Sequence, residues 1–181
     1  MDSVYTIKLN DFTGKNSCPK TVRGREQWCR LPGWGFQPVL SGSPPVWRKE
    51  VLKLARYFRR EFRYDFVQYS FTGENDINTQ AYTWLNDTGI MIGACCFRER
   101  VYESLGKIWC LDWVWFHPYE RNKGHLKEAW PHFRKQYGIF HCEHPLSRPM
   151  TGFIAKYHPE QLERERKFNC PDPITSYSQG T

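Results

Sequence analysis

Long apolar runs are missing from this sequence. No uninterrupted apolar segment approaches the roughly 18–20 residues that a membrane-spanning helix needs, and charged side chains make up 25% of the chain. The first residues, "MDSVYTIKLNDF", lack a basic segment followed by an apolar one, so no secretory signal is visible. Internal repeats are missing as well. We therefore expect a soluble, cytoplasmic protein that does not associate with a membrane.

Cysteine pairs at the spacing of metal ligands are also missing. None of the seven cysteines has a partner at the Cys-x2-Cys spacing of a zinc ribbon. His141, Cys142 and His144 lie together, but neighbouring residues of a strand point to opposite faces and cannot converge on one ion. The sequence therefore predicts no metal site, and free thiols are the default in a reducing compartment.

Aromatic residues and positive charge are abundant. Aromatics make up 17% of the chain and include eight Trp, a composition that argues against general disorder. The net charge is +7 and the isoelectric point is near 9.1, which favours anionic partners. Nucleic acid, a phosphorylated cofactor and an acidic protein surface all remain open on charge alone.

The chain divides into three parts by its patterning. Residues 1–43 combine a predicted strand at 4–9 with an irregular extension rich in Trp, Gly and Pro. Residues 44–158 carry clear periodic segments, and residues 159–181 read as a charged helix followed by a flexible tail. We expect the middle part to form the core of one domain.

A helix is predicted over residues 44–63. Ser43 is a candidate cap, followed by two prolines, and four apolar residues recur at helical spacing on one face: Val51, Ala55, Phe58 and Phe62. The opposite face is basic, and its seven residues are Arg48, Lys49, Lys53, Arg56, Arg59, Arg60 and Arg63. This face could bind nucleic acid, but no aromatic residues interleave there to stack bases, which favours a solvated face.

The following segments predict a mixed sheet. A strand is expected at 64–71, and then "AYTWL", "IMIGACCFRERVY" and "IWCLDWVWF" form a three-stranded antiparallel meander. The last of these is apolar nearly throughout and should be buried on both faces. A helix ending at Gly138 connects this strand to the strand "IFHCEHP". The two strands should therefore run parallel. Short helices are expected in "SRPMTGFIAKY" and "PEQLERERKF", so the fold class is α/β.

The turn "HPYERNKGHLK" at 117–127 has the features of a phosphate site. It joins the buried strand to a helix, and the first backbone N–H groups of a helix have no partner within it. Arg121, Lys123 and Lys127 add positive charge. Gly124 lets the backbone approach an anion closely because it has no Cβ.

The spacing of this turn resembles the acetyl-coenzyme A motif of the Gcn5-related N-acetyltransferases (GNAT), V-x-P-x-x-R-x-x-G-x-G/A after a central strand. Pro118, Arg121 and Gly124 match in register, and the resemblance covers about residues 45–158. Trp130 and Pro131 resemble a divergent, poorly characterised branch of the superfamily. The resemblance implies acetyl-CoA as the cofactor and a central strand splayed from its neighbour.

The resemblance also assigns cofactor-binding residues. It implies that backbone amides of the loop bind the pyrophosphate and that the strand end faces the thioester, which gives Phe116, Arg121, Asn122, Lys123, Gly124, His125 and Leu126. Two features depart from the family pattern. Leu126 stands at the last Gly/Ala, where it could crowd the cofactor or pack into the core. Ile154 stands where the family often has a Tyr acid, with Tyr157 three residues on, and the last two strands of the family are not evident after residue 158.

Acetyl transfer to an amine needs a base and an acid. Asp112 and Glu143 are the predicted bases, with His117 at the strand end as another, and Tyr157 is the predicted acid. Because alternate residues of a strand share a face, Asp112 should lie on the side of Val114 and Phe116. An ion pair with Arg or Lys explains either carboxylate equally well. Cys142 and Ser147 are weaker candidates, better read as packing and as a helix cap.

The function expected from these patterns is acetyl-CoA-dependent N-acetyl transfer, made directly to a primary amine. A protein lysine or N-terminus is the first acceptor to consider. Acetylation of an aminoacyl-tRNA amine, as in some toxin members of the family, is the alternative enzyme. A binding protein that keeps the GNAT fold without the chemistry is a further alternative. The sequence leaves a homodimer open.

Overall fold

The computed structural model describes residues 35–70, 72, 78–86, 91–102 and 106–167. The strand expected at 4–9, the extension up to residue 34, most of the two meander turns and the C-terminal tail lie outside these residues. The described elements, in chain order, are β1 (Gly35–Val39), α1 (Pro45–Phe62), β2 (Thr79–Leu85), β3 (Met91–Tyr102), β4 (Gly106–Phe116), α2 (His125–Tyr137), β5 (His141–Cys142), α3 (Arg148–Tyr157) and α4 (Pro159–Lys167).

The five strands form one mixed sheet in the order β1-β2-β3-β4-β5. The first four are antiparallel neighbours, whereas β5 runs parallel to β4. The meander and the parallel strand that the sequence predicts are therefore confirmed. Each predicted helix is present, including α2, which contains Pro131 and ends at Gly138.

Three local predictions were wrong. Strand β1 lies inside the extension predicted to be irregular. Its Pro38 is tolerated because, among the described strands, β1 is at an edge of the sheet. The segment predicted as a strand at 64–71 contains no strand over its described residues 64–70. Ser43 does not cap α1, since its hydroxyl accepts the N–H of Leu40 instead.

The sheet has a hydrophobic cluster on each face. Helix α1 covers one face, where Val51, Ala55 and Phe58 pack with Trp113 and Trp115. The periodicity of the sequence predicted this buried side of α1. The cluster on the other face, which we call the α2 cluster, joins side chains of the strands to α2 and the residues after it. Its largest fully buried side chains are those of Phe97, Trp130, Phe133 and Phe140.

Strand β4 contains a β-bulge at Asp112. Cys96 pairs with Trp113 and the next residue, Phe97, pairs with Leu111, so Asp112 is an additional residue opposite no partner of its own. The bulge shifts the alternation of the strand. Leu111 therefore belongs to the α2 cluster, whereas Trp113 belongs to the α1 cluster.

Strands β4 and β5 pair over a short distance only. Two residue pairs define the contact, Cys110 with His141 and Leu111 with Cys142. The N–H of Glu143 still donates to the carbonyl of Leu111 at 3.0 Å. After Leu111, β4 continues for five residues to Phe116 without a described pairing on this side. The central strand is therefore splayed from its parallel neighbour, as predicted.

Helix α4 is fixed to the sheet by buried polar groups. Gln161 and Glu165 are 0% and 2% exposed. The Gln161 amide donates to the carbonyl of Phe140 at 3.2 Å, and one oxygen of Glu165 accepts the N–H of Cys142 at 2.9 Å. The sequence predicted a charged helix here. The structure shows that one of its carboxylates is an internal hydrogen-bond acceptor for β5.

Candidate active site

The loop after β4 has the backbone geometry of an anion site. A short 3-10 turn over Pro118–Glu120 follows the strand, and α2 begins at His125. Asn122 and Gly124 both adopt positive φ, 62° and 90°. A Cβ on Gly124 would have only the Glu128 carboxylate within 4 Å, at 3.6 Å, so the space beside Gly124 is otherwise open. Successive backbone N–H groups in such a conformation, at a helix N-terminus, form a concave site for phosphate.

The side chain of Arg121 is engaged within the protein. Its guanidinium forms a two-pronged ion pair with Glu61 near the end of α1, with N–O distances of 2.6 and 2.7 Å. The same carboxylate accepts the indole N–H of Trp115 at 2.8 Å, and Nε of Arg121 donates to the carbonyl of Phe116 at 3.0 Å. Burial raises the pKa of Glu61, but these hydrogen bonds and the guanidinium charge outweigh burial and lower it.

This ion pair changes the electrostatic description of the loop. Because Glu61 neutralises Arg121, the positive charge of the loop comes from its backbone dipoles, Lys123 and Lys127. Lys123 is itself 3.0 Å from Glu120. Glu61 is a functional candidate that the sequence did not reveal. It lies sixty positions before Arg121, on a helix whose pattern is defined by its apolar and basic faces.

Three predicted cofactor residues have side chains in the core. Phe116 packs over Gly93 so closely that a Cβ at Gly93 would be 2.3 Å from its ring. The imidazole of His125 is 5% exposed, stacks on Phe116 at 5.5 Å and lies 3.2 Å from Glu120. Leu126 packs against the α2 cluster, which answers the question that its position raised. These residues can offer only backbone groups to a bound anion.

Asp112 is buried between two arginines. Its oxygens lie 2.8 Å from Nε of Arg98 and 2.9 Å from Arg100. Arg98 also donates to the carbonyl of Gln68, as does the indole of Trp113. The carboxylate therefore lies on the α1 side of the sheet. The prediction that it shares a face with Val114 and Phe116 was wrong, because the bulge shifts the alternation at this residue.

Glu143 lies at the point where β4 and β5 separate. It follows β5 directly, and its carboxylate is 3.2 Å from Nε of Arg100. Burial raises the pKa of Glu143, and the attraction of Arg100 only partly opposes it. A carboxyl group with a raised pKa is closer to the proton affinity that a general base needs at neutral pH. Glu143 and Asp112 are thus joined through Arg100.

Tyr157 and Tyr64 occupy different surroundings. Tyr157 is 38% exposed at the end of α3, with the ammonium groups of Lys127 and Lys156 at 5.2 and 5.0 Å from its ring. Tyr64 follows α1, and its hydroxyl donates to the carbonyl of Pro145. Burial and the nearby charge of Glu143 raise the pKa of Tyr64. No pattern in the sequence singles out Tyr64, because the alternation of 64–71 predicts a strand there.

An open cleft of about 610 Å³ lies beside Tyr64. Residues 61–65 form one wall and residues 145–149 form the other. The second wall begins three residues after β5, close to Glu143. Ser147 in this wall caps α3 by accepting the N–H of Met150 at 3.4 Å, as predicted.

The remaining candidates have structural surroundings. His117 accepts the N–H of Tyr119 within the turn. Burial and the nearby charge of Glu165 hold the pKa of the Cys142 thiol well above its ordinary value, which makes this cysteine unreactive at neutral pH. Within the described ranges, no cluster of three or more His, Cys, Asp or Glu could hold a metal ion. No helix in the same ranges is long and apolar enough to cross a membrane.

Comparisons with solved structures identify the fold by similarity. No protein-family model and no curated protein matches this sequence. A structure of the xEco2 acetyltransferase domain bound to a CoA conjugate matches with a TM-score of 0.52 and 14% identity, over 67% of this chain and 85% of that chain. Another structure of the xEco2 acetyltransferase domain gives 0.50 and 10%, over 68% and 85%. The fold is that of the GNAT acetyltransferases, and the fold prediction from the sequence is confirmed.

Proposed function

We propose that this chain is an N-acetyltransferase that uses acetyl-CoA and acts on a primary amine. The observation that carries the proposal is the joint presence of a splayed β4–β5 pair and, at the end of β4, a loop with positive φ at Asn122 and Gly124. In the GNAT fold these two features form one continuous cofactor site. The acceptor that we propose is a lysine or an N-terminus of a protein.

The residues present fit this cofactor. The backbone amides of 121–126 would hold the pyrophosphate, with Lys123 and Lys127 nearby as cations. The opening between β4 and the chain after β5 would hold the pantetheine arm, because β4 has no described partner there. When bound, acetyl-CoA supplies the acetyl group as an activated thioester.

Glu143 is the proposed general base. Its raised pKa and its position two residues before Pro145, where the cleft wall begins, suit a group that accepts a proton from the acceptor amine at a carboxylate oxygen. Asp112 is then a positioning residue, because it holds Arg100 between itself and Glu143. Two hydroxyls, those of Tyr157 and Tyr64, are the candidates for donating a proton to the leaving thiolate.

Thermal stabilisation by acetyl-CoA tests the cofactor. Gly124→Glu adds a carboxylate to the anion site and should abolish the increase in melting temperature that wild type shows. Gly106→Glu is a matched control: Gly106 also has a positive φ of 68° and open space around it, but it lies at the other end of β4. An absence of stabilisation in wild type, or an equal loss in both variants, would refute the cofactor assignment.

Transfer of labelled acetyl groups to a cell lysate, followed by mass spectrometry, tests the activity and the acceptor. Glu143→Gln should lower kcat by about 100-fold, as loss of a general base does, and should flatten the rise of activity with pH. Tyr64→Phe and Tyr157→Phe distinguish the two proton donors. Binding of acetyl-CoA without transfer to any protein would favour a binding protein with the same fold.

A further inference from the structure

Every exposed residue between positions 49 and 63 is a lysine or an arginine. On this stretch of α1 and its C-terminal cap the exposed side chains are Lys49, Lys53, Arg56, Arg59, Arg60 and Arg63, and we call this set the basic stripe. From Lys49 to Arg60 it extends for about 16 Å, eleven residues at about 1.5 Å each. Neither carboxylate of the helix lies among these exposed side chains. Glu50 is 9% exposed and forms an ion pair with Lys53 at 2.6 Å, and Glu61 is bound by Arg121 and Trp115.

Helix stability accounts for only part of this arrangement, because Arg59 and Arg60 alone lie in the last turn, where the helix dipole favours positive charge. Apart from the adjacent Arg59 and Arg60, successive members of the basic stripe are three or four positions apart, and like charges at these spacings destabilise a helix. The helix dipole favours acidic residues at the N-terminus, but the first turn of α1 has none. A binding partner with dense negative charge would relieve both effects.

We propose that the basic stripe binds double-stranded DNA. The duplex carries about one phosphate charge per 1.7 Å of its axis, so several members of the stripe can be neutralised at once. No aromatic side chain is exposed between the stripe residues, whereas single-strand binding surfaces rely on aromatic stacking. The wide major groove of B-form DNA admits an α-helix, and the deep, narrow groove of duplex RNA does not.

The apolar face of α1 argues against a membrane partner. A helix that lies in a membrane surface inserts its apolar face between lipids. In α1 this face, with Val51, Leu54 and Phe58, is buried against the sheet. The exposed face of α1 therefore offers a partner only positive charge. The partner must carry its negative charges in a row that matches the stripe.

The stripe also leads to the cleft. Its last member, Arg63, lines the cleft between 61–65 and 145–149, and Arg148 lines the opposite wall. DNA bound along α1 would therefore pass the opening of the candidate active site. The DNA-binding proposal does not depend on acetyl transfer, and it is tested without acetyl-CoA.

Fluorescence anisotropy with a labelled DNA duplex of unrelated sequence is the direct test. For wild type, log K should fall with log [salt] with a slope of about −4, which corresponds to four or five released phosphates. The double variant Arg56→Gln/Arg60→Gln should bind at least tenfold more weakly at low salt, with a slope reduced in size by about 2.

A control pair of the same charge change separates the stripe from net charge. Lys107→Gln/Lys135→Gln removes two positive charges from exposed positions outside α1 and should leave affinity and slope unchanged. An equal loss in both double variants would overturn the proposal, as would an absence of binding at low salt. Tighter binding of duplex RNA, single strands or anionic vesicles through the same two arginines would overturn the choice of DNA.

Discussion

Replacing Glu165 by Gln should remove a pH-dependent part of the free energy of unfolding. One oxygen of Glu165 accepts the N–H of Cys142 and the amide of Gln161, at 2.9 and 3.2 Å. The other oxygen lies 3.0 Å from Nδ1 of His141 and 3.5 Å from Nε2 of His144. A glutamine keeps one acceptor but turns an amide NH2 group toward hydrogen-bond donors.

The magnitude follows from the pKa of the buried carboxylate. Burial raises the pKa of Glu165, but hydrogen bonds from His141, His144 and the backbone outweigh burial and lower it from 4.5 to about 2. Because the folded-state value is the lower one, the carboxylate stabilises the fold above about pH 4.5, and this stabilisation is lost as the pH falls toward 2. The lowered pKa corresponds to a contribution to the free energy of unfolding of about 3 kcal/mol near pH 6 and about 1.4 kcal/mol near pH 3.

His144 limits the pH range in which wild type and Glu165→Gln differ most in their free energy of unfolding. Its hydrogen bond to Glu165, partly opposed by burial, raises the pKa of His144 above 6.5. A raised histidine pKa adds stability that is present below about pH 6.5 and is lost as the pH rises through the folded-state value. The gap between wild type and Glu165→Gln should therefore be greatest between about pH 5 and about pH 6.5.

Urea unfolding at about pH 6 and about pH 3 measures this gap. Glu163→Gln is the matched control, because Glu163 lies on the same helix, is 62% exposed and contacts only Arg166 among its described ion pairs. It should change stability by less than about 0.5 kcal/mol. A gap for Glu165→Gln below about 1 kcal/mol at pH 6, or a gap that does not narrow by pH 3, would refute the reasoning.

Two further variants test the packing and the ion pair around the candidate site. Gly93→Ala should destabilise the protein by about 1–3 kcal/mol, because the new methyl group meets the Phe116 ring at 2.3 Å. Adding Phe116→Leu should recover part of this loss in a double-mutant cycle, and strict additivity in urea unfolding would contradict the contact. Glu61→Gln should cost about 1–2 kcal/mol, because it weakens the pair with Arg121 but keeps an acceptor for Trp115. An unchanged urea midpoint would argue that solvent already screens this pair.

The sequence predicted those parts of the fold that depend on periodicity. The four described helices and the meander follow from 3.6-residue and two-residue patterns, and the glycine-containing turn between β4 and α2 follows from the spacing of Pro118, Arg121 and Gly124. Strand β1 was missed because its Gly and Pro are typical of turns and are tolerated here only at a sheet edge. The segment 64–70 alternates like a strand but contributes Tyr69 to the core and the Gln68 carbonyl to Arg98 without forming a strand.

The charge pairings in and near the candidate site could not be predicted from the sequence. No local pattern connects Glu61 with Arg121, because the two meet only when α1 packs over the end of β4. The carboxylate of Glu165 likewise reads as part of a solvated helix until α4 is seen against β5. Asp112 could have been assigned to the correct face only by knowing that the strand bulges there.

The bulge at Asp112 also determines which changes in length strand β4 can tolerate. The inward and outward alternation of side chains changes phase at this residue. Leu111 therefore packs in the α2 cluster, whereas Trp113, two positions later, packs in the cluster under α1. Deleting Asp112 would remove the carboxylate that Arg98 and Arg100 share, but Leu111 and Trp113 would stay on their present sides as neighbours in a regular strand. Deleting Val114 instead would turn the end of the strand over, so that Trp115 and Phe116 would exchange sides. Natural variation and protein engineering should therefore accept substitutions along this strand far more readily than insertions or deletions on either side of the bulge.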